Sequence, residues 1–157
     1  MMMVVLLSGS CKKDEILTDS SARLEFSMDT VMFDTIFTSI GSTTAILTVY
    51  NNNDRPVLIS RAALATGQSS PYRLNFDGIP GKSFKDVEIG GKDSLFMFIE
   101  VTIDPNNVNT PFLVTDSIVF ETNGNIQDVD LVAYGQNANF IVADTYVEGL
   151  PPYTILP

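Results

Sequence analysis

At 157 residues the chain has room for one core of ordinary domain size, and its content of Leu, Ile, Val and Phe is that of a folded protein. A formal net charge of -10 at pH 7 argues against a nucleic-acid partner, because neutralising phosphates takes clustered Lys and Arg. With no His and one Cys, the chain lacks imidazole metal sites, Ser-His-Asp and Cys-His nucleophile pairs and internal disulfides, which leaves carboxylate chemistry and oxygen-ligand metals.

Met1 to Leu7 is an apolar run too short to span a bilayer as a helix, and small residues follow it at Ser8-Gly9-Ser10. Residues 1–10 therefore predict the tail of a secretory signal. No basic stretch precedes the run, so the true start codon is expected upstream of Met1, or the sequence has been trimmed. Leu7-Ser8-Gly9-Ser10-Cys11 resembles a bacterial lipobox of the looser form found in lipoproteins of the Bacteroidota, which implies lipidation of the Cys11 thiol. Lys12-Lys13-Asp14-Glu15 is similar to the charged sorting tag that sends such lipoproteins to the outer face of the outer membrane. The implied address is the cell envelope, surface-exposed, with residues 11–21 as a lipidated tether. Two or three acyl chains, at about 0.8 kcal/mol per buried methylene, give stable anchoring. The rival reading of Cys11 is a free or buried thiol beside a frayed terminus.

From Ala22 onward the pattern is β. Ala22 to Ser27 alternates apolar and polar residues and Val31 to Phe37 continues after Met28-Asp29, which predicts one broken first strand. Thr43 to Tyr50 places Ala45, Leu47 and Val49 on one face, and Asn51-Asn52-Asn53-Asp54-Arg55-Pro56 predicts a turn before Val57 to Arg61 returns. A helical turn is the expectation for Ala62 to Gln68. Tyr72 to Phe76 and Phe84 to Ile89 are short strands. Leu95, Met97, Ile99, Val101 and Ile103 recur at period two and predict a buried face, while Phe96 and Phe98 on the reverse predict partial cover there too. Ser117 to Thr122 is the next strand. Asn123-Gly124 predicts a type I′ hairpin, because that pair accepts positive φ. Asn125 to Tyr134 then returns with Val129, Leu131 and Ala133 inward and Asp128 and Asp130 outward.

About seven to nine short strands with regular turns predict an all-β fold, an immunoglobulin-like antiparallel β-sandwich over residues 22–136, with 137–157 as a C-terminal extension or linker. Three segments carry a family resemblance: Leu47 to Ile59, Ile89 to Pro105, and Asp116 to Gly135. Together they resemble immunoglobulin-like domains of the abnormal-spindle and hydin type, over roughly Leu24 to Gln136. More narrowly, the chain resembles the N-terminal part of Bacteroidota surface lipoproteins in which such a sandwich precedes a right-handed parallel β-helix, and Leu150 to Ile155 is similar to the segment introducing that β-helix. The likeness implies a fragment of a longer lipoprotein.

Chemistry-bearing clusters are few. Asp104, Asn106 and Asn107 offer oxygen ligands of the kind Ca²⁺ prefers, but one carboxylate and a spacing unlike the EF-hand make an ordinary turn the expectation; Asn51 to Asp54 reads the same way. Glycoside hydrolysis needs two placed carboxylates, and Asp128 and Asp130, about 7 Å apart on one strand face, read as solvated charges. Tyr50, Tyr72, Phe76 and Tyr134 at core spacing predict packing in preference to a sugar platform. No catalytic residues and no cofactor are expected. The sequence thus predicts a non-enzymatic lipid-anchored structural or interaction module, held to the membrane by its N-terminal lipid and presenting a downstream domain. The alternative is a stand-alone surface domain that binds carbohydrate or protein.

Overall fold

The computed structural model describes residues 15–37, 44–103, 112–136, 145–149 and 151–154. Among the described residues ten strands run in chain order: β1 (Glu25–Phe26), β2 (Thr30–Phe37), β3 (Ala45–Asn51), β4 (Val57–Leu64), β5 (Tyr72–Phe76), β6 (Ile79–Gly81), β7 (Ser83–Ile89), β8 (Asp93–Val101), β9 (Phe112–Thr122) and β10 (Asn125–Gln136). They form two five-stranded sheets, ordered β1-β3-β8-β5-β6 and β2-β10-β9-β4-β7. Among the described residues no helix is long and apolar enough to cross a membrane.

Period-two alternation builds both layers. In β8, Met97, Ile99 and Val101 are buried; in β10, Val129, Leu131 and Ala133 are buried while Asp128 and Asp130 face solvent. These inner faces meet in one core with Leu47 and Val49 of β3, Val57 and Ile59 of β4, Tyr72, Leu74 and Phe76 of β5, and Ile118 and Phe120 of β9. Each such side chain withdrawn from water contributes about 1.5–3 kcal/mol. Phe120 sits at the aromatic centre, its ring centroid 4.8 Å from that of Phe26 and 6.5 Å from that of Phe76. The β9–β10 hairpin turns at Asn123 and Gly124, with φ of 50° and 78°, as the type I′ geometry requires. The architecture is an immunoglobulin-like β-sandwich.

Four local expectations are corrected. The broken first strand is two strands in different sheets: β1 pairs antiparallel with β3, whereas β2 pairs with β10 in parallel from Thr30↔Asp130 to Phe37↔Gln136. The chain keeps its heading while it changes layer around Ser27–Asp29, so it meets β10 running the same way, an exception to the antiparallel pattern. Ala62 to Leu64 belong to β4, and the helical turn is a single 3-10 turn at Gly67–Ser69. A register shift against β9 between Ile59 and Arg61 exchanges the strand's faces there, so that Val57 and Ile59 before it and Ala62 and Leu64 after it all reach the core. Phe96 and Phe98 are exposed on the reverse of β8, Phe96 at 53%. Finally, Ile16 to Ser21, expected within a tether, lie docked on the sandwich.

Candidate functional site

No buried carboxylate pair or metal-ligating cluster organises the described residues, so the features with functional content are where the chain comes in, where it leaves, and what the two outer faces present. It comes in at one pole of the sandwich. There the turn after β9 lies beside the turns after β3 and after β7, which are tied by Asn51. This side chain is fully buried, and its amide donates to the carbonyls of Arg55 (2.9 Å), Ile89 (3.2 Å) and Gly90 (2.8 Å). Its oxygen accepts from the Asn53 N–H (3.0 Å) and the Asn53 side-chain amide (2.9 Å). Asn51 is thus spent on backbone, and a buried polar group so satisfied is a structural device. The Lys92 N–H donates to the Asn53 carbonyl at 2.8 Å. Gly91 permits this approach, since a Cβ there would lie 2.2 Å from the Asp54 carbonyl oxygen.

Residues 15–24 form a strap on this pole. The Leu17 N–H donates to the Pro56 carbonyl at 2.7 Å, and Arg55 Nε donates to the Glu15 carbonyl at 3.0 Å. Three amide side chains of the β9–β10 hairpin then grip the strap's backbone in order. Asn123 donates to the carbonyls of Leu17 (2.9 Å) and Asp19 (3.2 Å), and Asn125 to those of Ser20 (2.8 Å) and Ala22 (3.4 Å). Gln127 donates to the Leu24 carbonyl at 2.9 Å and accepts from its N–H at 3.1 Å. Asn125 and Gln127 share the inward parity of Val129, Leu131 and Ala133. An inward polar residue needs a partner, and the strap supplies it while Ala22 and Leu24 enter the core. Sequence reasoning missed this clasp; its signal was the amide-bearing sequence Asn123-x-Asn125-x-Gln127 leading into an inward apolar series.

β10 ends at the opposite pole. β10 starts at the clasp hairpin and continues for 12 residues to Gln136, about 40 Å at strand rise. Near that far end, Leu113, 57% exposed, is paired with Tyr134 on the outer face, with Met32 and Phe37 exposed on the neighbouring β2.

Cys11, Lys12, Lys13 and Asp14 lie outside the described residues, as do Asp104, Asn106 and Asn107. Glu15 is described, its carboxylate exposed and 3.5 Å from Arg55 Nη2. The four aromatics do not make a platform: Tyr72 and Phe76 are buried in the core, and Tyr50 and Tyr134 lie on different sheets. The other outer face carries Ile46, Phe96 and Phe98, with Ile46 opposite Phe98. Beside them is an open depression of about 470 Å³ lined by Thr44, Arg73, Asn75, Pro80, Phe98 and Glu100. Its charged groups hold each other, Arg73 lying 3.8 Å from Glu100 and Thr44 Oγ1 donating to Glu100 at 3.0 Å.

Tyr72 and Asp116, two perturbed titratable groups among the described residues, are structural. Burial, and then the Asp116 charge, push the Tyr72 phenol well above its ordinary range, and its hydroxyl donates to the Val114 carbonyl at 2.8 Å. For Asp116, burial alone would raise the carboxyl. Hydrogen bonds from Ser70, Thr66 and the Ser117 N–H outweigh it and hold the group below the usual carboxylate range. Asp116 accepts from Thr66 Oγ1 at 2.5 Å and so ties the 3-10 turn to β9.

No family model matches the chain, and no curated protein does. Among solved structures it is similar to a protein of unknown function from Porphyromonas gingivalis, at 14% identity and a TM-score of 0.53, over 72% of this chain and 46% of that one. It is also similar to a family 123 glycoside hydrolase from Clostridium perfringens, at 13% identity and a TM-score of 0.50, over 70% of this chain and 23% of that one. The chain thus spans less than half the length of either. At such identity the likeness shows the fold alone.

Proposed function

We propose that the protein is a lipid-anchored cell-envelope module, non-enzymatic, that holds a following domain away from the membrane. The reading joins the lipobox-like Leu7 to Cys11 and the resemblance to Bacteroidota surface lipoproteins with one structural observation that carries it: the chain comes in at one pole, under the Asn123-Asn125-Gln127 clasp, and leaves β10 at the other, about 40 Å away. A domain joined at opposite poles acts as a spacer. Metabolic labelling with an alkyne fatty acid tests the anchor. Label is expected on the wild type and absent from Cys11→Ala; an unlabelled wild type, or label that survives the substitution, ends the reading.

The exposed Ile46, Phe96 and Phe98 beside the Arg73–Glu100 depression favour a second reading, a surface domain that itself binds carbohydrate or protein. Aromatic and aliphatic side chains open to solvent beside polar ones, among them Asn75 with its side-chain oxygen unpartnered, are the composition of a recognition face. Binding on a glycan array that is lost in Phe98→Ser supports it, and an array without hits counts against its carbohydrate arm.

A further inference from the structure

The strap turns the question of anchoring into one of orientation. Were residues 11–21 a free tether, the sandwich could tumble over the membrane with any face toward it. The free length is much shorter, because Glu15 is already held at its carbonyl by Arg55 and Leu17 is bonded to Pro56 and Asn123. Only the four residue steps from Cys11 to Glu15 remain, which at full extension reach about 14 Å.

We infer that the pole formed by Asn52–Arg55, Gly90–Lys92 and Asn123–Gly124 rests against the phospholipid headgroups, with β10 directed away from the bilayer. This rests on lipidation of Cys11. The chemistry of the pole suits a polar interface. Asn52, Arg55 and Lys92 are exposed polar side chains that each make one or more bonds within the pole and keep further N–H groups for a headgroup, and Tyr50 and Ile126, the latter 70% exposed, flank the turns on the two outer faces. An amphipathic ring and a single apolar side chain are tolerated at headgroup depth. Asp54 lies 3.2 Å from Lys92 and Glu15 lies 3.5 Å from Arg55, so the cations are locally offset. The short leash, and not charge attraction, therefore sets the contact, which makes it insensitive to salt.

The chain contains no Trp and one Cys, which allows a direct test. The full chain is coupled through Cys11 to a maleimide phospholipid in phosphatidylcholine vesicles carrying nitroxide on a fraction of the headgroups, with Ile126→Trp or Leu113→Trp as the sole tryptophan, excited at the red edge where the five tyrosines do not absorb. Both positions are on the outer face of the same sheet. Ile126 and Tyr134, the partner of Leu113, are separated by about 26 Å along β10. Ile126→Trp is expected to lose most of its emission and Leu113→Trp to keep it, in low and high salt alike. Opening the clasp with Asn123→Gly, Asn125→Thr and Gln127→Thr is expected to bring the two toward equal quenching. Equal quenching in the intact protein, stronger quenching at 113, or a gradient untouched by opening the clasp each overturn the inference. Chemical coupling at Cys11 does not depend on acylation in the cell, so the quenching reads orientation and the fatty-acid labelling reads the anchor. Should labelling fail, the inference falls with that reading, whatever the vesicles show.

Discussion

The two poles of this sandwich solve the same problem differently. At the incoming pole, three turns and a strap meet, and their backbone groups are satisfied by buried or half-buried amide side chains: Asn51 for the turns, Asn123, Asn125 and Gln127 for the strap. At the outgoing pole, sheet ladders continue to Gln136, and Leu113 and Tyr134 are exposed on the outer face. The first pole is specified by hydrogen bonds that have no alternative partner. At the second, Asp116 accepts from Thr66 and Lys82 donates to the carbonyls of Gln68 and Ser70, so that the turn after β4 is pinned by charged side chains. The lesson is that neutral amides and charged side chains do the same work at the two ends of one small domain, and that the amides also hold a segment lying outside the sheets.

Substitutions should show the contrast as unequal costs. Asn51→Leu is expected to be the most damaging, at about 3 kcal/mol, because it leaves the carbonyls of Arg55, Ile89 and Gly90 without their donor. Urea unfolding measures it, and a loss below the range for a single hydrogen bond would remove Asn51 from its central place. Gly91→Ala should cost about 2 kcal/mol, since the added methyl meets the Asp54 carbonyl and forces two turns apart. An unchanged urea midpoint would show that the turns yield freely. Asp116→Asn, at the turn after β4, should cost about 1 kcal/mol by weakening the bonds to Thr66 and Ser117.

That last effect has a pH signature. The folded carboxyl of Asp116 lies below its ordinary 3.8, so its contribution is present above that value and is lost as pH falls through the lower folded value. Wild type and Asp116→Asn should therefore differ at neutral pH and converge in acid, and a gap that persists there would assign the effect to packing. The smallest change is expected at the outgoing pole, where Leu113→Thr should shift stability by less than about 0.5 kcal/mol. A larger loss in urea unfolding would mean that this surface already packs within the chain.

What could be read in the sequence was what local chemistry decides. Asn123-Gly124 declares its turn because so few residue pairs accept positive φ twice, and β8 and β10 declare their buried faces because alternation fixes parity residue by residue. The parallel partnership of β2 with β10 was out of reach, since the strands are separated by most of the chain and no short turn dictates their relation. Asn51 read as one polar residue among several in a turn, although it continues the inward parity of Ala45, Leu47 and Val49. Asn125 and Gln127 carried inward parity in plain sight, but their partner is strap backbone, and backbone carbonyls leave no trace in a pattern of side chains. Phe96 and Phe98 illustrate the converse: an apolar alternation on both faces of a strand states that cover is needed, not that the same chain provides it.

The parallel pairing of β2 with β10 also bears on mechanics. A pull applied between the incoming strap and the outgoing end of β10 acts along these two strands in opposite senses, so the ladder from Asp130↔Thr30 to Gln136↔Phe37 is sheared as a whole instead of being peeled bond by bond. Rupture then requires many bonds to fail together, whereas an outward pull at the edge of β2 opens them in succession. Single-molecule extension through the two ends should accordingly meet a higher force than extension through position 32 and the C-terminal end, and equal forces would show that the resisting unit lies elsewhere in the sheets.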